Sequence, residues 1–343
     1  MTDNETNEKL LEVMEAGEKR REERRAFLRG GSAAAIAAAG TGLLAACSSG
    51  DSDPQPAPPP PPPPTGGTPP PPPPPPTGAL TDGDILNFAL NLEYLEAQFY
   101  AIAATGSYLP ESLLGGTGTR GQVTGGSLVP FKDAQVAAHA REIAVDERQH
   151  VAFLRQAIGA TAVAQPALDL SVTATSAFSA AARAAGLIGP NEAFDPYVSD
   201  ENFLLAAFIF EDVGVTAYKG ASPLITSKAF LEAAAGILAA EAYHAGLIRT
   251  VLYSKGVQTP SLVTATERIS DARDSLDNPA ERDQGVAQRG QMSNIVPSDA
   301  NGIVYSRTPG DVLNIAFLTA AAATQGGFFP AGVNGTIKAS SAD

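Results

Sequence analysis

The sequence predicts an all-α protein built around a four-helix bundle. From residue 81 onward, the apolar residues recur with a period near 3.6, which is typical of amphipathic helices. No segment between 81 and 256 shows the sustained alternation of a β-strand. Alanine and glycine are abundant and tryptophan is absent, a composition that suits closely packed helices. With 44% apolar residues among 343, the chain can bury a substantial core.

Residues 1–46 are predicted to be an export signal. Arg24 and Arg25 precede a short apolar stretch of alanine and glycine, and the motif Leu44-Ala-Ala-Cys47 follows it. This order resembles a twin-arginine signal peptide that ends in a lipoprotein cleavage box. Cys47 would then be lipidated and would anchor the chain to a membrane of the bacterial cell envelope, outside the cytoplasm. The alternative is a cytosolic arm that merely contains two arginines.

Residues 47–79 are predicted to be a tether between this anchor and a folded domain. Of the 28 prolines in the chain, 17 lie between Pro54 and Pro76. Such runs favour polyproline II, an extended conformation that rises about 3.1 Å per residue. The segment is therefore interpreted as a stiff spacer.

Composition excludes several classes of function. The formal charge of −14 makes nucleic acid an unsuitable partner, because phosphate contacts need clustered lysine and arginine. A single cysteine excludes an internal disulfide and any cysteine-ligated zinc or iron–sulfur site. The longest uninterrupted apolar run, residues 203–210, is too short to span a bilayer.

The bundle is predicted over residues 80–256. Its four helices are placed at 82–104, 131–158, 198–220 and 226–255, joined by longer connections at 105–130 and 159–197. Thr81 is a suitable N-cap for the first helix, with Asp84 three residues further on. Gly159 and Gly256 follow the second and fourth helices, where a glycine commonly ends a helix.

The C-terminal extension, residues 257–343, is expected to pack on the bundle. Residues 257–307 are predicted to be polar and irregular. The dipeptide Thr308-Pro309 then supplies an N-cap and a proline in the first turn of a fifth helix, predicted at 309–323. The pair Phe328-Phe329 is expected to fill a groove or a contact between subunits.

Four glutamates occupy positions where a core side chain is expected. On each bundle helix, the neighbours three, four and seven residues away from one glutamate are mostly apolar. These glutamates are Glu93, Glu147, Glu211 and Glu241. Four unpaired buried carboxylates would outweigh the whole stability of a typical domain, about 5–15 kcal/mol. Lysine and arginine are scarce nearby, whereas two divalent metal ions would neutralise all four.

Two of these glutamates begin a Glu-x-x-His motif, which places both side chains on one helix face. Glu147 is followed by His150, and Glu241 by His244. Carboxylate and imidazole ligands on facing helices suit iron or manganese, and iron is the preferred assignment. The third histidine of the chain, His139, lies about 16 Å from His150 along the same helix and is interpreted as structural.

The motifs repeat, so the second helix pair is predicted to duplicate the first. Glu93 and Glu211 are each followed seven residues later by a tyrosine on the same helix face. These tyrosines, Tyr100 and Tyr218, are candidates to hydrogen-bond the ligand carboxylates across the bundle, with ordinary core packing as the alternative. An arginine also follows each Glu-x-x-His motif at the same spacing and is interpreted as a member of a surface ion pair. These arginines are Arg155 and Arg249.

Two helices with a single glutamate and two with Glu-x-x-His resemble the arrangement of the ferritin-like carboxylate proteins over residues 80–256. Similarity to the desiccation-related branch of that family lies in five segments, residues 87–100, 294–302, 305–309, 312–315 and 326–330. The resemblance implies a ferritin-like four-helix bundle with a dinuclear metal site, in proteins that are often secreted or linked to stress.

Glu96, one turn from Glu93, has two interpretations. It is either an additional, shifting carboxylate, as in rubrerythrin-like sites, or the edge of the polar face. The metal site as a whole predicts a redox enzyme in which Glu147 and Glu241 bridge two metal ions that react with peroxide or dioxygen. Catalase, peroxidase and ferroxidase activity all fit this arrangement.

Two other functions stay open at this point. One is a structural, stress-protective envelope protein in which metal only stabilises the bundle. The other is iron storage, although a lipid anchor, a long tether and the C-terminal extension make a closed cage awkward. Assembly into a homo-oligomer also stays open.

Overall fold

The computed structural model describes residues 80–277 and 282–342. The predicted signal with Arg24 and Arg25, the lipidation site Cys47 and the proline-rich tether lie outside the described residues. Helices dominate the described part of the chain, which confirms the all-α fold class. None of the helices described there is both long enough and apolar enough to cross a bilayer.

Seven α-helices, three single-turn 3-10 helices and two very short strands make up the regular structure of the described residues. In chain order, the helices are α1 (Asp82–Thr105), α2 (Ala134–Ile158), α3 (Ala177–Ala184), α4 (Asp200–Ala221), α5 (Lys228–Gly256), α6 (Pro260–Asp274) and α7 (Pro309–Phe317). The strands β1 (Val123–Gly125) and β2 (Leu168–Leu170) form one parallel pair, in which Val123 is opposite Leu168.

Helices α1, α2, α4 and α5 form the four-helix bundle. Helix α1 packs mainly along α2, and α4 mainly along α5, while α1 also contacts α4 and α2 also contacts α5. The four helices begin and end within three residues of their predicted positions. This arrangement directs one face of every bundle helix toward a common interior.

Local sequence explains where the bundle helices begin and end. Thr81 and Asp84 form a capping box at the start of α1, in which each side chain accepts a hydrogen bond from the other residue's backbone N–H. Asp133 caps α2 by accepting bonds from two backbone N–H groups. Gly159 follows α2 as predicted, whereas Gly256 is the last residue of α5 rather than the residue after it.

The prediction of irregular structure for residues 257–307 is wrong, because α6 lies within that segment. Pro260 occupies the first turn of α6, and Leu262 and Ile269 lie on its buried face, which packs on α4 and α5. The helix is mostly polar, and its apolar stripe is too narrow to predict a helix from the sequence. Helix α3 was missed for a related reason, since it spans only eight residues within a predicted connection.

The predicted fifth helix, which is α7, begins at Pro309 as expected but ends at Phe317 rather than at 323. Leu318 adopts a left-handed conformation with φ of 58° and closes the helix. The side-chain amide of Asn314 donates to the carbonyl of Thr319, which holds the chain in this turn. An apolar run alone predicted a longer helix than these local hydrogen bonds allow.

Phe328 joins an aromatic cluster beside the bundle. Its ring centroid lies 5.1 Å from that of Phe178 and 5.0 Å from that of Phe210, both in edge-on geometry. Phe328 and Phe329 are both buried, so within this chain the pair fills a groove, one of the two predicted alternatives.

Arg249 is buried, so its interpretation as a surface residue is wrong. Its guanidinium donates to Asp212 Oδ2 at 2.8 Å and to four backbone carbonyls of the C-terminal extension, those of Gln284, Gly285, Asn294 and Ile295. Arg155 instead donates to the hydroxyl of Tyr94 and the carbonyl of Gly115. The carbonyl partners of Arg249 lie 35 to 46 residues further along the chain and Asp212 lies 37 residues before it, which helical spacing cannot reveal.

Asp212 lies between two arginines and starts a buried ion-pair network. Arg273 contacts Asp212 at 3.0 Å and Asp283 at 2.9 Å. Arg307 then pairs with Asp283 and with Asp277, and donates to Thr216 of α4. The network ties α6 and the later extension to the outer side of α4 and α5.

Replacing Arg249 with methionine (Arg249→Met) is expected to destabilise the protein by about 3 kcal/mol, because Asp212 and several carbonyls lose a buried partner. Urea unfolding measures this loss. The matched control Arg268→Met removes an exposed arginine of α6 and is expected to cost less than about 0.5 kcal/mol. Equal losses in the two variants would contradict a stabilising role for the network.

Candidate metal centre

The structure brings six predicted site residues together in the middle of the bundle. Each of α1 and α4 contributes one glutamate, and each of α2 and α5 contributes a glutamate and a histidine. All six residues are buried, and none is more than 9% exposed as a whole residue: Glu93, Glu147, His150, Glu211, Glu241 and His244. The 3.6-residue period of each helix carries its ligand residues into the shared interior.

The first cluster surrounds Nδ1 of His150. This nitrogen lies 3.3 Å from Glu93 Oε2, 3.5 Å from Glu147 Oε2 and 3.6 Å from Glu241 Oε1. One ligand atom from each of the four residues lies within 4.8 Å of all the others. The cluster therefore has the dimensions of a single metal position with three carboxylates and one imidazole.

The second cluster surrounds Nδ1 of His244. This nitrogen lies 3.1 Å from Glu147 Oε1 and 3.6 Å from Glu211 Oε2, and the three residues again converge within 4.8 Å. Glu147 belongs to both clusters and turns a different oxygen toward each histidine. Glu147 is thus placed to bridge two positions, whereas Glu241 converges only with the His150 cluster.

The two tyrosines connect the clusters crosswise. The hydroxyl of Tyr100 on α1 donates to Glu211 Oε1 on α4, and the hydroxyl of Tyr218 on α4 donates to Glu93 Oε1 on α1. Each bond uses one carboxylate oxygen and leaves Oε2 of the same glutamate directed at a histidine. The equal seven-residue spacing in α1 and α4 therefore has a structural basis, since each helix orients the ligand of the other.

Glu96 is buried beside the centre, so its interpretation as the edge of a polar face is wrong. It lies three residues after Glu93, just as Gly214 lies three residues after Glu211. A Cβ atom at Gly214 would collide with Glu241 Oε2 and would lie 3.5 Å from Glu96 Oε1. The glycine thus leaves room for an additional carboxylate beside Glu241.

The shared glutamate has an electrostatic environment unlike that of the others. Although burial opposes it, the close imidazoles of His150 and His244 lower the pKa of Glu147 to about 2. Burial, reinforced by the Glu147 charge, raises the pKa of Glu93 to about 7 and that of Glu211 to about 8. Burial and neighbouring carboxylates also raise the pKa values of Glu96 and Glu241.

Burial alone would favour neutral histidines, but the carboxylates outweigh it. Glu93 and Glu147 raise the pKa of His150 to about 11. Glu211, Asp146 and Glu147 raise the pKa of His244 to about 10. Without metal, the site therefore stabilises positive charge in its interior, which is the property of a cation site.

The donor atoms fit two divalent metal ions. Eight buried nitrogen and oxygen atoms of the two clusters have no hydrogen-bond partner: Glu93 Oε2, both carboxylate oxygens of Glu147, His150 Nδ1, Glu211 Oε2, both carboxylate oxygens of Glu241 and His244 Nδ1. Orphaned buried polar atoms are costly, so a convergent set of them points to an absent partner. Carboxylate oxygens and imidazole nitrogens are suitable ligands for iron and manganese.

Sequence reasoning missed Asp146, whose Oδ2 lies 3.4 Å from Nε2 of His244. Such a contact favours the proton on Nε2 and leaves Nδ1 free for a metal. The signal was an acidic residue directly before Glu147, but the equivalent position before Glu241 is Ala240, so the repeat did not reveal it. His139 lies half-buried on the wall of a surface groove.

Metal-free protein is expected to lose stability as the pH rises from 5 to 8. Glu93 and Glu211 have pKa values raised from 4.5 to about 7 and 8, so their contribution is complete below pH 4.5 and is lost as pH rises through these values. The raised histidine pKa values act in the same direction above pH 6.5. The low pKa of Glu147 acts oppositely, but only below pH 4.5.

Thermal unfolding in the presence of a chelator measures this effect, and we expect Tm to fall by at least about 5 °C between pH 5 and pH 8. Glu93→Gln removes one group that gains a proton on folding, so the fall in Tm between pH 5 and pH 8 should be smaller in this variant. A Tm that rises over this range in the parent protein would contradict the assigned directions.

Comparison with known proteins agrees with this geometry. The family model of the ferritin-like domain matches residues 81–254. The desiccation-related protein PCC13-62 of Craterostigma plantagineum is 32% identical over 266 residues, which cover 73% of this chain and 82% of that protein. The ferritin-like catalase Nec2 of Nesocodon mauritianus is 30% identical over 272 residues, which cover 75% and 84%. No solved structure gives a significant match.

The matched domain contains every candidate ligand, and the similarity to the two relatives spans most of their length. The domain match, the helical bundle and the crosswise pairs of glutamate and tyrosine agree with one another. The chain belongs to the ferritin-like domain family, in the branch that includes the desiccation-related protein PCC13-62.

Proposed function

We propose that this chain holds two iron or manganese ions, with iron preferred, and decomposes hydrogen peroxide outside the cytoplasm. The observation that carries the proposal is the pair of buried histidine clusters that share Glu147. The order of Arg24-Arg25 and Leu44-Ala-Ala-Cys47 supports export and a lipid anchor in the cell envelope. The relative named a ferritin-like catalase supports peroxide as the small oxidant.

The residues of the chain would have different roles at such a centre. When bound, a redox-active metal pair would supply the capacity to take two electrons from one peroxide molecule and return them to another. Glu93, Glu241 and His150 would hold one position, Glu211 and His244 would hold the other, and Glu147 would hold both. The hydroxyls of Tyr100 and Tyr218 keep the terminal carboxylates oriented.

Glu96 is suited to hold a proton beside the reacting molecule. Burial and the carboxylates of Glu147 and Glu211 raise its pKa well above the ordinary value, which favours the protonated form of its carboxyl group. Decomposition of peroxide to water and dioxygen requires protons to move between two peroxide molecules. A carboxyl group that is not needed in either cluster can accept and return such a proton.

The apolar lining on the Glu96 side limits water at the centre. A cavity between α1, α4 and α7 reaches Glu96 and is lined by side chains such as Leu92, Val213, Ile315 and Phe328. An apolar surrounding strengthens electrostatic interactions at a metal site and restricts access to small molecules. Peroxide and dioxygen are small and uncharged, and therefore suit this cavity.

A second candidate is a stress-protective protein in which metal only stabilises the bundle. The similarity to a protein named desiccation-related supports this alternative. The buried glutamates of the centre also favour this alternative, because bound cations would stabilise the fold whether or not the centre catalyses a reaction. The two candidates share the metal centre and differ only in turnover.

Metal analysis of the full chain tests the shared part of both candidates. After loading with Fe(II) or Mn(II), the parent is expected to retain about two ions per chain. Each of the variants Glu147→Ala and His244→Ala is expected to lose at least one of these ions. His139→Ala is the matched control, because it removes the histidine outside the clusters. A parent protein without stoichiometric metal would contradict both candidates.

Oxygen evolution from hydrogen peroxide separates the two candidates. The loaded parent is expected to evolve dioxygen, and Glu147→Ala to reduce the rate at least about 100-fold, because the shared ligand is lost. His139→Ala should keep the parental rate. Stoichiometric metal that raises Tm without any oxygen evolution would contradict catalysis and favour the protective function. Retention of many irons per chain would instead indicate storage.

A further inference from the structure

The candidate centre has two different sides. The apolar cavity between α1, α4 and α7 approaches it near Glu96, and its lining is almost wholly hydrocarbon. A hydrated divalent cation cannot cross such a lining without losing its water shell, which is costly in an apolar medium. This side is therefore unsuited to the passage of metal ions.

The opposite side carries an open surface groove between α2 and α5, with a volume of about 660 Å³. Four polar side chains of α2 line it at spacings of three and four residues, which places them on one helix face. They are Gln135, His139, Glu142 and Asp146. Helix α5 contributes small residues to the groove, including Ala240 and Gly246, so the space stays open.

The inner end of the groove reaches the centre itself. His244 lines the groove, and its Nε2 contacts Asp146 at 3.4 Å while its buried, unpartnered Nδ1 lies 3.1 Å from Glu147. The Asp146 side chain is 45% exposed, so one carboxylate meets both solvent and a ligand residue. Glu142 is exposed, Asp146 is partly buried and Glu147 is fully buried. Carboxylates therefore occur at increasing depth from the surface to the centre.

We propose that this groove is the route by which divalent metal ions reach and leave the centre. Glu142 and Asp146 attract the hydrated cation and exchange its waters stepwise before Glu147 and His244 bind it. Carboxylates that line a cleft raise the local cation concentration and accelerate capture. The inference rests on the metal centre of the proposed function and adds how that centre is loaded.

A steric plug provides the sharpest test. At Gly246, an added Cβ meets no atom within 4 Å, so Gly246→Phe places a ring in the groove without a clash at its base. Gly236 lies on the same helix, is equally open at its Cβ and does not line the groove, so Gly236→Phe is the matched control. Both changes replace a helical glycine with phenylalanine, which equalises the effect on helix propensity.

Stopped-flow absorbance follows uptake of cobalt(II), a probe that does not turn over, by the full-length, metal-free protein. Chelator-driven release measures the reverse rate. We expect Gly246→Phe to slow uptake and release by about tenfold each and to change the dissociation constant by less than about twofold, because an obstructed path alters both rates together. Gly236→Phe should match the parent in both rates.

The carboxylates are tested separately from the plug. Glu142→Gln is expected to slow uptake about threefold at low salt and to lose this difference at high salt, because it removes one attracting charge. Glu232→Gln removes an exposed glutamate of α5 outside the groove and should leave uptake unchanged. Stoichiometric binding with parental rates in Gly246→Phe and Glu142→Gln would overturn the route alone. Absence of cobalt binding by the parent would instead overturn the metal centre.

Discussion

Five glutamate carboxylates buried around one centre in the helical bundle are the constraint on which the structure depends. Two protonatable histidines offset part of this negative charge, and burial raises the pKa of Glu93 and Glu211, which favours bound protons on these groups when metal is absent. Divalent cations would replace those protons directly. The placement of the tyrosines, the glycine at position 214 and the apolar covering by α7 all serve a cavity that must contain charge.

The repeated helix pair places the ligands with approximate two-fold symmetry. The departures from this symmetry make the two sides of the centre different. Glu96 has a glycine as its counterpart, and Asp146 has an alanine, Ala240. The first departure adds a carboxylate on the side that faces an apolar cavity. The second adds a carboxylate on the side that opens into the surface groove between α2 and α5. A duplicated sequence thus produces two chemically different approaches to one centre.

The C-terminal extension stabilises the helices that hold the ligands. Asp212 follows Glu211 directly on α4, and Arg249 follows His244 by five residues on α5. Their ion pair joins these helices outside the centre, and Arg249 then binds carbonyl groups of the extension. Buried pairs of this kind are costly to break, so they hold the spacing between α4 and α5 that the His244 cluster requires.

The sequence by itself determined the helices of the bundle and the residues of the two clusters, because helical period and Glu-x-x-His spacing are local properties. Only the tertiary structure decided that Tyr100 serves Glu211 while Tyr218 serves Glu93, since either tyrosine could have packed beside its own helix partner. The same holds for the burial of Arg249 and the contact of Asp146 with His244. These interactions join residues 35 to 125 positions apart, and no local pattern records which distant groups meet.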